Sequence, residues 1–455
     1  MTAPYSLLVR NARIAHPDGA VTEGDLACRD GRIARIGGAL DVRAAEALDA
    51  NGLLLLPGVI DPHVHLREPG AEHKEDLASG SRACARGGVT SFLEMPNTDP
   101  ATTDAARLAA KLARAARQCV VNYGFFMGAT PHNLDELNRA QPTPGIKVFM
   151  GCSTGDLLLA DDADLERVFA HGDRIIAVHA EDHERLTQRR AQFAGRTDPA
   201  VHSEIRDNET ALIASARVLQ LAKKYRRRLH ILHMSTREEV ELLRRDKPDW
   251  VKAEVSPNHL FLNIDDYAQL GCFAQMNPPL RTAADNAALW AGLRAGLIDF
   301  VGTDHAPHTL AEKQRPYGQA PSGMPGVETA LPLMLTAMHA GRCTLAEILR
   351  WMCRGPAAAY GIANKGEIRT GFDADLTLVD MDAARPVRNE DIWSKCGWSP
   401  YAGRILRGWP AYTIVGGGVV FDRGRIRAGV RGRALTFAAP QENFFAPDAT
   451  QLHTP

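Results

Sequence analysis

Along the middle of the chain, short apolar runs alternate with longer stretches whose apolar residues recur at helical spacing. Strands are predicted at residues 59–63, 89–94, 120–126, 146–149, 174–179, 229–233, 251–255 and 298–301. Helices are predicted between most of them, as over 103–118, 204–224 and 236–245. Eight strands, mostly separated by helices, over about 300 residues match the size of a (β/α)8 TIM-like barrel of the α/β class. A doubly wound sheet would carry a Gly-rich phosphate turn after its first strand. No Gly-x-Gly-x-x-Gly follows residues 59–63.

The chain ends follow a different pattern. Residues 5–56 break into short strand-like pieces at 7–10, 25–28 and 32–36, with Asp30-Gly31 as a tight hairpin signal. The same style returns at 374–379, 412–415 and 418–421, where Asp422-Arg423-Gly424 turns the chain into 425–427. Two β-rich ends around a long middle predict a small β-sandwich domain built from segments 1–56 and 363–440. The barrel then occupies 57–362, and 441–455, with Pro447 and Pro455, reads as a loose tail.

Composition adds exclusions. At 455 residues the chain exceeds one ordinary core, which fits a large domain plus a smaller one. A net charge of -1, without a basic stripe or acidic tail, argues against nucleic acid and anionic membrane as partners. The N-terminal stretch lacks the pattern of a signal peptide, and the apolar run near Leu53 stops at Pro57, too short to span a membrane. Eight scattered cysteines with no C-x-x-C read as reduced residues of a cytoplasmic protein.

Candidate chemistry gathers at the predicted strand ends, where barrels of this kind place catalytic groups. His63 and His65 share one face of the first strand, because side chains alternate along a strand. His179 ends the fifth strand, His233 the sixth, and Asp304 the eighth. Four imidazoles and a carboxylate are a donor set for a catalytic divalent metal. Lys147 lies inside the apolar fourth strand, Ile146-Lys147-Val148-Phe149-Met150. A neutral amine there can react with CO2 to give an anionic carbamate; alternatively, the side chain snorkels its amine to the strand mouth.

The segments His63-Val64-His65-Leu66-Arg67-Glu68-Pro69-Gly70, Gly145-Ile146-Lys147-Val148-Phe149, His179-Ala180-Glu181-Asp182, His233-Met234-Ser235-Thr236 and Thr303-Asp304-His305-Ala306-Pro307-His308 occur in that order. Together they resemble the cyclic amidohydrolases of the amidohydrolase superfamily, over roughly residues 5–430. The resemblance implies two zinc ions, one held by His63, His65 and Asp304 and the other by His179 and His233. Carboxylated Lys147 and a hydroxide would bridge them, and Asp304 would act as general base and then general acid.

The same resemblance bears on the substrate. Arg67, Asn97 and His308 match the positions that bind a ring carboxylate in dihydroorotase-like members, which implies interconversion of N-carbamoyl-L-aspartate and L-dihydroorotate in pyrimidine biosynthesis. Hydantoinase- and allantoinase-like members generally lack the arginine. Read on its own, Arg67 has a surface or interdomain salt bridge as its alternative role. Asn277, in Met276-Asn277-Pro278-Pro279, matches a ring-contacting segment or else caps a loop. One departure favours the hydantoinase type: many bacterial long-form dihydroorotases carry an aspartate in place of the strand-four lysine. A silent subunit scaffolding aspartate carbamoyltransferase is a further alternative, although no metal ligand is missing. The resemblance also implies a homo-oligomer, a dimer or tetramer, with association with aspartate carbamoyltransferase as an option. Residues 320–326, rich in Gly and Pro, either line or cover the pocket or form a rigid surface turn.

Overall fold

A computed structural model describes residues 5–151 and 157–438; Cys152 and the expected tail at 441–455 lie outside them. The barrel strands are β1 (Val59–Val64), β2 (Val89–Glu94), β3 (Asn122–Phe125, continued by Met127–Gly128), β4 (Ile146–Phe149), β5 (Ile176–His179), β6 (Leu229–Ile231), β7 (Val251–Val255) and β8 (Phe300–Val301). All neighbours pair in parallel. A parallel bridge between Val64 and His305 joins β1 to the chain after β8. Apart from Lys252, every residue of these strands is buried. This is the pattern of strands covered on both faces, and it explains their near-continuous apolar runs.

Local chemistry sets the helix limits. The helix Ala105–Gln118 begins where Asp104 accepts the Arg107 N–H, two residues later than the periodicity predicts. Thr236 caps Arg237–Asp246 in a reciprocal box with Glu239. The single helix expected over 204–224 is instead two, Val201–Ile205 and Asn208–Tyr225. The break lets Asp207 cap the second helix and turns the Arg206 side chain inward onto Glu181.

Strands from both chain ends form one nine-stranded sheet, in which Leu54–Pro57 pairs with Tyr5–Ala15 on one side and Leu376–Pro386 on the other. Leu7, Leu26 and Ile33 share a core with Leu376, Tyr412 and Val419, so the sheet curls over itself around a common interior. Asp30 and Gly31 both have positive φ, as a type I′ hairpin turn requires, and Arg423-Gly424 repeats this at the other end. Two C-terminal stretches leave the sheet for the barrel. The connection 387–404 packs at the barrel mouth, with the Trp398 indole donating to the His308 carbonyl at 2.8 Å. Leu435 and Phe437 pack beneath β1 and β8 with Ile60 and Phe300.

Candidate metal centre and substrate pocket

Asp61 ties the two ends of the barrel together under the site. Its carboxylate accepts the His63 and Thr303 N–H groups at 3.2 and 3.1 Å and the Thr303 hydroxyl at 2.6 Å. Above it, the Nε2 atoms of His63 and His65 lie 3.3 and 3.1 Å from Asp304 Oδ1. The opposite ring nitrogens are occupied: His63 Nδ1 donates to Glu254 at 2.5 Å and His65 Nδ1 to Asn97 Oδ1 at 2.7 Å. Both rings therefore turn bare Nε2 lone pairs toward a carboxylate oxygen. Burial holds His65 neutral, with its pKa down at about 3 despite the pull of Asp304. Lone pairs facing an anion in a buried site call for a cation, and three such residues form a group able to hold a metal ion.

His179 and His233 make a second pair beside the first. His179 Nε2 donates to Glu181 at 2.7 Å, which leaves its Nδ1 facing His233 Nε2 at 3.0 Å. Among the described residues, His233 Nδ1 is buried without a hydrogen-bond partner, so the ring proton can reside there and leave both facing nitrogens bare. The rings of His63 and His233 are 5.3 Å apart, so the four imidazoles form one continuous cluster. His233 and Asp304 both have positive φ, 36° and 48°, a strained backbone of the kind that gathers at functional sites.

Lys147 is 1% exposed on β4, its Nζ 4.5 Å from the centre of the Phe149 ring. Burial pushes its pKa down to about 7, against the opposing charges of Asp304 and Glu254. The amine stays deep in the barrel instead of snorkelling to the mouth. A large fraction of it is neutral at pH 7, the form that adds CO2.

Toward the mouth, Arg67, Asn97 and His308 line a cavity of about 1150 Å³ together with Lys74, Thr98 and Thr130. Arg67 is half-buried at φ 65°, with the preceding Leu66 N–H held by Glu94 at 3.0 Å. Among the described residues, its guanidinium meets the Pro307 carbonyl at 3.1 Å and the edge of His308, not a carboxylate. Asn277 stands apart from this lining: its side-chain oxygen accepts from His202 Nε2 at 2.9 Å. Residues 320–326 are a fastened strap. Gln275 donates to Ala320 and Ser322, Lys313 to Pro321, and the Ala306 N–H to Met324.

Residues 54–420 match the model of the amidohydrolase family. The chain belongs to the amidohydrolase family. Its curated relatives include the dihydroorotase of Halobacterium salinarum, 40% identical over 92% of this chain and 98% of that protein. An allantoinase of Solibacter usitatus is 35% identical over 96% of this chain and 98% of its own length. Among solved structures, the L-hydantoinase (dihydropyrimidinase) of Arthrobacter aurescens has a TM-score of 0.91 and 32% identity, covering 95% of this chain and all of that one.

Two buried carboxylates of this amidohydrolase site are not among the candidates visible in the sequence. Glu254, buried at the end of β7, holds His63, and it lies 3.2 Å from His230 Nε2. His230 in turn meets the Tyr360 hydroxyl at 2.5 Å. The signal was present: an acidic residue among the inward-facing positions of a buried strand needs a partner. Glu181 is a second such residue. Burial alone would raise its carboxyl, but Arg206 and His179 outweigh burial and hold it at about 2.

Proposed function

We propose that this chain is a zinc-dependent dihydroorotase, interconverting N-carbamoyl-L-aspartate and L-dihydroorotate. The observation that carries the reading is Arg67, a guanidinium without a carboxylate partner among the described residues, sharing a cavity with Asn97 and His308 and two residues from His65. A ring carboxylate supplies the missing anion, and the planar fork fits it with two parallel hydrogen bonds.

The donor set fits two zinc ions. His63, His65 and Asp304 would hold one, His179 and His233 the other, with carboxylated Lys147 between them. Bound zinc supplies a polarised ring carbonyl and a water that deprotonates near neutral pH. Glu254, Asn97 and Glu181 fix the imidazoles through their second nitrogens, so the ligand atoms need no reorganisation. The Asp304 carboxyl is held below its ordinary pKa, so it is ionised at neutral pH. It takes the proton of the attacking water on a carboxylate oxygen and returns it to the ring nitrogen that leaves; closure runs the same transfers backwards.

A hydantoin- or dihydropyrimidine-opening enzyme is the second reading, supported by Lys147 and by the likeness to L-hydantoinase. Arg67 separates the two. Loss of a charge-assisted pair costs about 1.5–3 kcal/mol, so Arg67→Met should lower kcat/KM for dihydroorotate roughly 10- to 100-fold. Dihydrouracil, the same ring without the carboxylate, should respond little. Unchanged dihydroorotate kinetics in this variant would refute the assignment.

A further inference from the structure

Lys74 lines the same cavity as Arg67 and His308. Its Nζ is 3.2 Å from His308 Nδ1 and 3.1 Å from Glu312 Oε1. An ammonium has donors only, so His308 Nδ1 must accept and the ring proton must sit on Nε2. That Nε2–H points at the Ser322 carbonyl, 3.0 Å away. Arg67 Nη2 is 3.3 Å from the same Nε2, donor beside donor, which is no hydrogen bond. An anionic oxygen placed between the two donors would take the Nε2–H over from the Ser322 carbonyl and share it with Arg67.

Glu312 is the competing group. Its Oε2 lies 4.0 Å from His308 Nδ1, and Thr309 holds this carboxylate with both its N–H and its hydroxyl. Without Lys74, the carboxylate would draw the ring proton to Nδ1. Nε2 would then present a lone pair toward the anion that Arg67 attracts. Burial, with Arg67, Lys74 and Lys313 nearby, disfavours the doubly protonated ring.

We propose that Lys74 is a positioning residue that fixes His308 as the Nε2–H tautomer, so that His308 and Arg67 donate together to the substrate's ring carboxylate. This rests on the dihydroorotase reading for its substrate but not for its tautomer. The test is nitrogen-15 NMR of histidine-labelled, zinc-loaded protein, with the His308 signals assigned through His308→Gln, alongside steady-state kinetics. Wild type and Lys74→Arg should show the Nε2–H form. Lys74→Met should show Nδ1–H and raise KM for dihydroorotate about tenfold while kcat moves little. In Lys74→Met combined with Glu312→Gln, the pull on Nδ1 is gone and Nε2–H should return. Retention of Nε2–H in Lys74→Met, or a shifted tautomer with unchanged KM, would overturn the proposal. A wild-type protein inactive on dihydroorotate would sink the substrate reading, while the tautomer shift would still decide the role of Lys74.

Discussion

His63 and Glu254 are far apart in sequence yet share a 2.5 Å hydrogen bond in the barrel interior. A carboxylate behind a ligating imidazole fixes its tautomer and raises its basicity. Glu254→Gln should therefore weaken zinc binding by about 10- to 100-fold, read by competition with a chromophoric chelator; equal affinity would remove Glu254 from this role. Lys147→Ala should lose most of one equivalent of metal, and a short carboxylic acid with bicarbonate should restore part of it. Full occupancy in the alanine variant would exclude a lysine-derived bridge. Of the ligand candidates legible in the sequence, His63, Lys147 and His179 lie within strands, where alternation fixes the facing direction, whereas His65, His233 and Asp304 lie just past the strand ends and are turned by the local backbone. Glu254 and Glu181 were not legible in the same way. Glu254 depends on His63 and Glu181 on Arg206, partners that only the fold brings close.

Element by element, strands β2, β4 and β7 have the limits their apolar runs predict, because burial on both faces leaves no amphipathic ambiguity. The predicted helix over 204–224 breaks at Arg206–Asp207 because an ion pair with Glu181 outweighs a continuous periodicity. Residues 320–326 could not be assigned from Gly and Pro content alone, since their fasteners come from Gln275, Lys313 and the backbone after β8. Lys313 gives this strap a measurable property. It is buried among carbonyls, with its Nζ 3.0 Å from Gln275 O, and burial pushes its pKa from 10.5 down to about 7. Below about pH 7 the folded protein buries an ammonium that the unfolded chain solvates, which costs stability in full. Between about 7 and 10.5 only the unfolded chain holds the extra proton, so the cost fades as pH rises. Lys313→Met should gain thermal stability relative to wild type at pH 6 and lose that advantage by pH 10. A pH-independent difference in melting temperature would contradict this.

Across the whole molecule, the β-rich ends form a sheet that brackets the barrel, and segments from beyond the barrel complete it. The alternation of strands and helices made the barrel legible, and the repeated hairpin turns made the two-ended sheet legible. The docking of 387–404 over the mouth was not, because it rests on Trp398 and Tyr401 bonding to His308 and Asn258, which are distant in the chain. That arrangement places Arg67, Lys74 and His308 around one cavity near the imidazole cluster, as an anionic cyclic amide requires.

The most direct measurement is a comparison of kcat/KM for dihydroorotate, dihydrouracil, hydantoin and allantoin on one zinc-loaded sample. The arrangement of Arg67, Asn97 and His308 predicts that dihydroorotate opens fastest, with N-carbamoyl-L-aspartate as product. Faster opening of dihydrouracil, hydantoin or allantoin would contradict it and transfer the site to the second reading.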